Sequence, residues 1–180
     1  MRFLHRYLPV SLVLVTLNLM PVSLAYAHLM AAQHGTLNIV NDGVFMVLSL
    51  PASAFQGIDD DNDGKVSMIE FNNHRAAIVS AIRENVILSD AEGTLALREV
   101  LLSPVAQHDT SEESISQLTI MGRFSLNDIA SPLRIEIGLY GKGVTEQSLE
   151  IAATRSYDRR RDIFELTPAA PASLLFSSSL

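Results

Sequence analysis

Residues 36–50 read TLNIVNDGVFMVLSL, and this stretch decides how the chain folds. Two apolar runs, Thr36 to Val40 and Val44 to Leu50, flank Asn41-Asp42-Gly43. Both runs carry the β-branched and bulky residues that suit a pleated, half-buried surface. Asp-Gly accepts the positive φ of a tight turn, so the reading is a β-hairpin. The same signature recurs down the chain. Val86 to Leu88 and Thr94 to Leu102 flank the turn Asp90-Ala91-Glu92-Gly93. Leu118, Ile120, Phe124 and Leu126 alternate with Thr119, Met121, Arg123 and Ser125. Leu133, Ile135, Ile137 and Leu139 alternate with Arg134, Glu136, Gly138 and Tyr140 before Gly141-Lys142-Gly143 ends the run. Leu149 to Thr154 and Ile163 to Leu166 complete the set. Alternation of period two sends one face of each strand into a core and the other into water. Seven or eight such strands predict an antiparallel, Ig-like β-sandwich.

One stretch has a different period. From Met68 to Asn85, Phe71, Ile78 and Ile82 fall on a single helical stripe with Ala81 beside it, and Asn72, Asn73, Arg83 and Glu84 lie elsewhere. That predicts one α-helix over about 68–85. Arg75 lies on the stripe, so its stem must run along the helix while its charge reaches outward.

The twelve residues that lead into this helix, Asp59-Asp60-Asp61-Asn62-Asp63-Gly64-Lys65-Val66-Ser67-Met68-Ile69-Glu70, fit the pattern D-x-D-x-D-G-x-V-S-x-x-E. It is the spacing of an EF-hand calcium loop, and the chemistry explains it. Calcium is a hard cation that takes ~6 to 8 oxygens, and a loop coiled around it presents alternate residues. Asp59, Asp61 and Asp63 would give one carboxylate oxygen each, and Gly64 permits the sharp turn. Lys65 would contribute its backbone carbonyl, Ser67 its hydroxyl or a water, and Glu70 both carboxylate oxygens, while Asp60 and Asn62 point away. Five carboxylates against one lysine leave an excess of negative charge that a cation would offset. Phe55, Ile58 and Phe71 stand where such a loop packs its flanks.

Two features separate this loop from a paired calcium sensor. Pro51 and Gly57 leave room for only a short helical piece before it. The chain also has no second loop, so position eight, Val66, must pair with other backbone of this fold or with a second chain as a homodimer. Exposing a target groove takes two good helices. A structural ion is therefore expected rather than a switch.

The N-terminus reads as an export signal. Arg2 and Arg6 precede the apolar run Leu8 to Leu19, Pro21 ends any helix, and Ala25-Tyr26-Ala27 offers small residues before His28. Residues 1–27 are expected to be removed, leaving a single β-rich domain over 28–180 in the periplasm or outside the cell. The run is shorter than the ~20 residues of a membrane span, and no later stretch reaches that length. The full chain has 180 residues, 13 Lys plus Arg, 20 Asp plus Glu, no cysteine and a net charge of -7. Without residues 1–27 it keeps 11 basic and 20 acidic groups, net -9. Such acidity argues against nucleic acid as a partner. The lack of cysteine excludes disulfides, thiolate metal sites and a cysteine nucleophile. No G-x-S-x-G, H-E-x-x-H or phosphate loop occurs, and a non-enzymatic module is expected.

The order of export signal, mature histidine, strand hairpin, LSLPASAF, GIDDDNDGKVSMIEF and the HRAAI helix resembles the periplasmic N-terminal region of HupE/UreJ-type membrane proteins, which are associated with nickel or cobalt uptake. The resemblance implies a β-rich periplasmic domain with a calcium loop, working beside a membrane-protein partner. The membrane-spanning part of those proteins has no counterpart in this sequence, so transport is not carried over. A second metal reading assigns copper or nickel to the amine and imidazole of His28 with Met30 and His34. Arg155, Arg159, Arg160 and Arg161 are interleaved with Asp158 and Asp162, as in a solvated hairpin with local ion pairs. Gln107 to Ser116 reads as a polar loop. Residues 169–180 read as a flexible tail whose Leu174-Leu175-Phe176 could dock on the sandwich or on a partner.

Overall fold

The structure, a computed structural model, describes residues 32–107 and 114–177. The predicted export signal lies outside the described residues. Ten strands and one α-helix follow in chain order: β1 (His34–Val40), β2 (Gly43–Pro51), α1 (Met68–Asn85), β3 (Val86–Asp90), β4 (Gly93–Leu95), β5 (Arg98–Gln107), β6 (Ser114–Ser125), β7 (Arg134–Ile137), β8 (Leu149–Arg155), β9 (Arg160–Leu166) and β10 (Ala172–Leu174). The hairpin over 36–50 forms as β1 and β2, with Val40 opposite Gly43. Its positive φ, 54°, falls on Asn41 rather than on the glycine. Asparagine tolerates the left-handed region because its short amide bonds locally.

The strands form a β-sandwich. One sheet has six strands in the order β5-β6-β2-β1-β8-β9, and the other has four in the order β10-β7-β3-β4. Every neighbouring pair is antiparallel except β1 and β8, which run parallel with His34 opposite Glu150. The all-antiparallel expectation is therefore corrected at one pair. A parallel pair needs a long crossover, and here the chain passes through the four-stranded sheet before β8 returns beside β1. The expected strand over Thr94 to Leu102 is also corrected. It is two strands in different sheets, β4 and β5, with a bulge between Arg98 and Leu101 and a φ of 53° at Glu99. Bulges bend a strand, and chains that change sheets use them.

A single core joins the sheets: Leu37, Ile39, Met46, Leu48 and Ile151 of the larger sheet pack with Leu88, Ile135 and Ile137 of the smaller one and with Phe71, Ile78 and Ile82 of α1. β1 lies so close to its neighbours that a Cβ on Gly35 would collide with Ile151 Cδ1 and come within 2.6 Å of Leu48 Cδ2. Arg75 behaves as its place on the helix requires. Its guanidinium lies 5.4 Å from the Phe71 ring centre and donates to Leu102 O at 3.4 Å. Among the described residues no helix is long and apolar enough to cross a membrane.

The predicted tail is ordered as far as it is described. Ala172–Leu174 pairs with β7, and Leu175 and Phe176 are buried. The Phe176 ring sits 4.6 Å from the guanidinium of Arg155 and 5.7 Å from that of Arg160. Phe176 also donates its N–H to Asp162 Oδ2 at 2.9 Å and accepts from Arg160 Nη2 at 2.7 Å. The arginine run makes its local ion pair, Arg155 to Asp158, and the Arg155 side chain also lies over Tyr157. β5 and β6 extend into both ends of the predicted loop at 107–116, of which 108–113 are outside the described residues.

Candidate metal centre

The chain leaves β2 at Pro51 and makes one 3-10 turn, Ala52–Ala54; it then buries Phe55 and Ile58 on either side of Gly57, whose φ is 70°. This short helical piece is all that precedes the loop, as Pro51 and Gly57 predict. Residues 59–65 then wind into a tight coil, with φ of 59° at Asn62 and 82° at Gly64. Asp59 Oδ2 accepts from Gly64 N–H at 3.0 Å, Asp61 Oδ1 from Asp63 N–H at 3.1 Å, and Asp63 Oδ1 from Lys65 N–H at 2.7 Å. Aspartates bond in this way to backbone a few residues ahead and so fold a loop upon itself.

The coil draws the three carboxylates together. Each of Asp59, Asp61 and Asp63 offers an oxygen within 4.8 Å of the others, an arrangement that can hold a metal ion. Asp59 Oδ1 is buried and has no hydrogen-bond partner among the described residues. A buried carboxylate oxygen without a donor is costly, and a cation beside it would remove that cost. The donors are all hard oxygens, so the triad fits a hard divalent cation better than a soft one.

Glu70 is not one of the three clustered carboxylates, and its own oxygens are held by Ser67 and Asp60. Glu70 Oε1 accepts from Asp60 N–H at 2.8 Å, and Oε2 accepts from both Ser67 N–H and Ser67 Oγ–H at 2.8 Å. Ser67 Oγ in turn accepts from Glu70 N–H at 3.3 Å, which closes a capping box at the start of α1. Positions nine and twelve of the loop pattern are also the N-cap and third residue of the helix, so S-x-x-E serves the helix end directly. The Ser67 N–H, the Ser67 hydroxyl and the Asp60 N–H, in that order, lower the Glu70 carboxyl to about 2. Glu70 is thus an ionised, buried carboxylate held by two backbone N–H groups and the Ser67 hydroxyl. Lys65 takes part through its N–H bond to Asp63.

Position eight finds its partner within the chain. Val66 is buried, its carbonyl accepts from Ile115 N–H at 2.7 Å, and Ser67 bridges to Ser114 at the start of β6. The loop is therefore tied to the six-stranded sheet in its second half.

Sequence reasoning missed His74. Its Nε2 lies 2.8 Å from Asp60 Oδ1, so Asp60, which is not one of the three clustered carboxylates, fastens the loop to α1. The available signal was spacing, since His74 is four residues after Glu70 and shares its helix face. The residues of the copper or nickel reading are not brought together: His28 and Met30 lie outside the described residues. His34 opens β1, with Nδ1 2.6 Å from Ala32 O and Nε2 3.5 Å from Glu150 Oε1.

Compared with protein-family models and with curated proteins, the chain matches none.

Proposed function

We propose that the chain binds one calcium ion in the loop at 59–70, that the ion is structural, and that the protein is an exported, non-enzymatic accessory domain. The observation that carries this reading is the convergence of Asp59, Asp61 and Asp63 within 4.8 Å around a buried, unpartnered Asp59 oxygen. Asp59, Asp61 and Asp63 would hold the ion, with Lys65 O, Ser67 and Glu70 the remaining protein donors in reach of the loop pattern. A bound calcium would supply charge neutralisation there, letting the acidic coil keep its tight winding. A structural role follows from the surroundings. Among the described residues the loop has one α-helix and no partner helix to swing against, and both its halves are already fastened, by His74 at Asp60 and by Ile115 at Val66. The N-terminal signal pattern supports an exported setting, and the resemblance to the periplasmic region of HupE/UreJ-type proteins agrees with it. In a compartment with abundant calcium a dissociation constant of ~0.1 to 1 mM suffices.

Calorimetric titration with calcium, beside thermal melts with calcium and with chelator, tests the reading. The wild type should release heat and melt higher, gaining about 1.4 kcal/mol at ten times the dissociation constant. Asp61→Ala, at an exposed position, should bind roughly tenfold or more weakly while keeping the fold. A wild type with no calcium-dependent heat and no shift in melting through the millimolar range would end the proposal.

A further inference from the structure

The outer face of the six-stranded sheet carries a mostly apolar row that the described residues leave uncovered. In register across all six strands lie Ile163, Ala152, Thr36, Val47, Met121 and Leu101. Leu101 is 59% exposed, Ile163 51% and Met121 37%, and Phe45, two residues from Val47 on the same face, is 45% exposed. Ala152, Thr36 and Val47 between them are half-buried, and large apolar side chains exposed together on one face mark an interaction surface.

Charge on either side of this row is not symmetric. The next row on one side holds Arg161, Phe45, Arg123 and Arg98. The next row on the other side holds Glu165, Glu150 and His34, followed by uncharged Ser49, Thr119 and Ser103. Arg161 and Glu165 sit on the same strand four residues apart, roughly 13 Å, too far to meet each other. Among the described residues neither has an ion-pair partner.

We propose that this face seats a second copy of the chain, related by a two-fold axis running along the apolar row. A two-fold interface brings one patch against itself, and an axis in this direction lays the apolar row on its own copy while exchanging the two flanking rows. Arg161 of one copy then faces Glu165 of the other, twice over, and Arg98 and Arg123 face uncharged Ser103 and Thr119. An axis along the strands would set Arg161 against Arg98 instead, so charge selects the first arrangement. Six strands and seven residues span roughly 24 by 20 Å. That is about 1,000 Å² over both copies, where specific interfaces begin, so the dimer is a weak one of roughly micromolar affinity.

Sedimentation velocity over a concentration series, on the chain purified as the cell processes it, tests this. The wild type should pass from monomer to dimer with rising concentration, and Met121→Glu should stay monomeric with unchanged circular dichroism. Glu165→Arg should weaken the dimer roughly tenfold, and adding Arg161→Glu to it should restore affinity. Because the chain has no cysteine, Thr36→Cys places one thiol on the axis, and a short bis-maleimide should link two copies. A wild type monomeric at every concentration, a dimer indifferent to Met121→Glu and Glu165→Arg, or a monomer that instead binds anionic vesicles through Met121 would overturn the proposal.

Discussion

Glu70 shows how one side chain can serve a helix and a loop together. Its carboxylate joins Ser67 at the helix start to Asp60 near the loop start, spanning ten residues of chain. Ser67→Ala removes the N-cap oxygen and should cost about 1 kcal/mol in urea unfolding without calcium. The pH dependence has a definite sign. The folded carboxyl is lowered to about 2 from an ordinary 4.5, so its stabilising contribution is whole above 4.5 and is lost as pH falls from there toward 2. Glu70→Gln should flatten that acid limb in chelator-treated protein, and an unchanged limb would show that the capping box is not its source. At this scale the triad was legible because ligand spacing along a coil is a local property. His74 was not, since its partner Asp60 lies on the other side of the loop. Asn41 was misjudged because Asp-Gly and Asn-Asp offer the same turn two neighbouring sites for a positive φ.

The elements differ in how far local pattern reaches. α1 was legible to its ends because 18 residues of helical period stand between two stretches of different period. The break between β4 and β5 was hidden, since Leu95 and Leu97 are both buried and alternate as one strand would. Which sheet each half joins is decided by β3 and β6, remote in sequence. β10 has only three residues and draws its stability from β7 and from the burial of Leu175 and Phe176. Gly35 belongs to this scale, for the space it leaves is what lets β1, β2 and β8 pack their inner side chains together. Gly35→Ala should destabilise by about 1–3 kcal/mol through overpacking, seen as a lower urea midpoint with an unchanged slope.

For the whole molecule, the sandwich class followed from alternation, but strand order did not. Nothing in the period of Leu149 to Thr154 tells that it lies beside β1 and parallel to it. The C-terminal segment acts as a latch across both sheets, since β10 extends one while Phe176 rests among Arg155, Arg160 and Asp162 at the end of the other. Phe176→Ala should cost about 3 kcal/mol or more, as buried aromatic truncations do, and lower the melting temperature of the entire domain in one transition.

The placing of β8 beside β1 also bears on the order in which the chain can assemble. β1 and β2 are among the first strands to be made, yet the free edge of β1 stays open until residues beyond 148 exist, and the smaller sheet gains its last strand only at residues 172–174. Long-range closures of this kind are slow because a large loop must be brought together before it is rewarded. A growing chain therefore completes neither sheet until these late residues have been made.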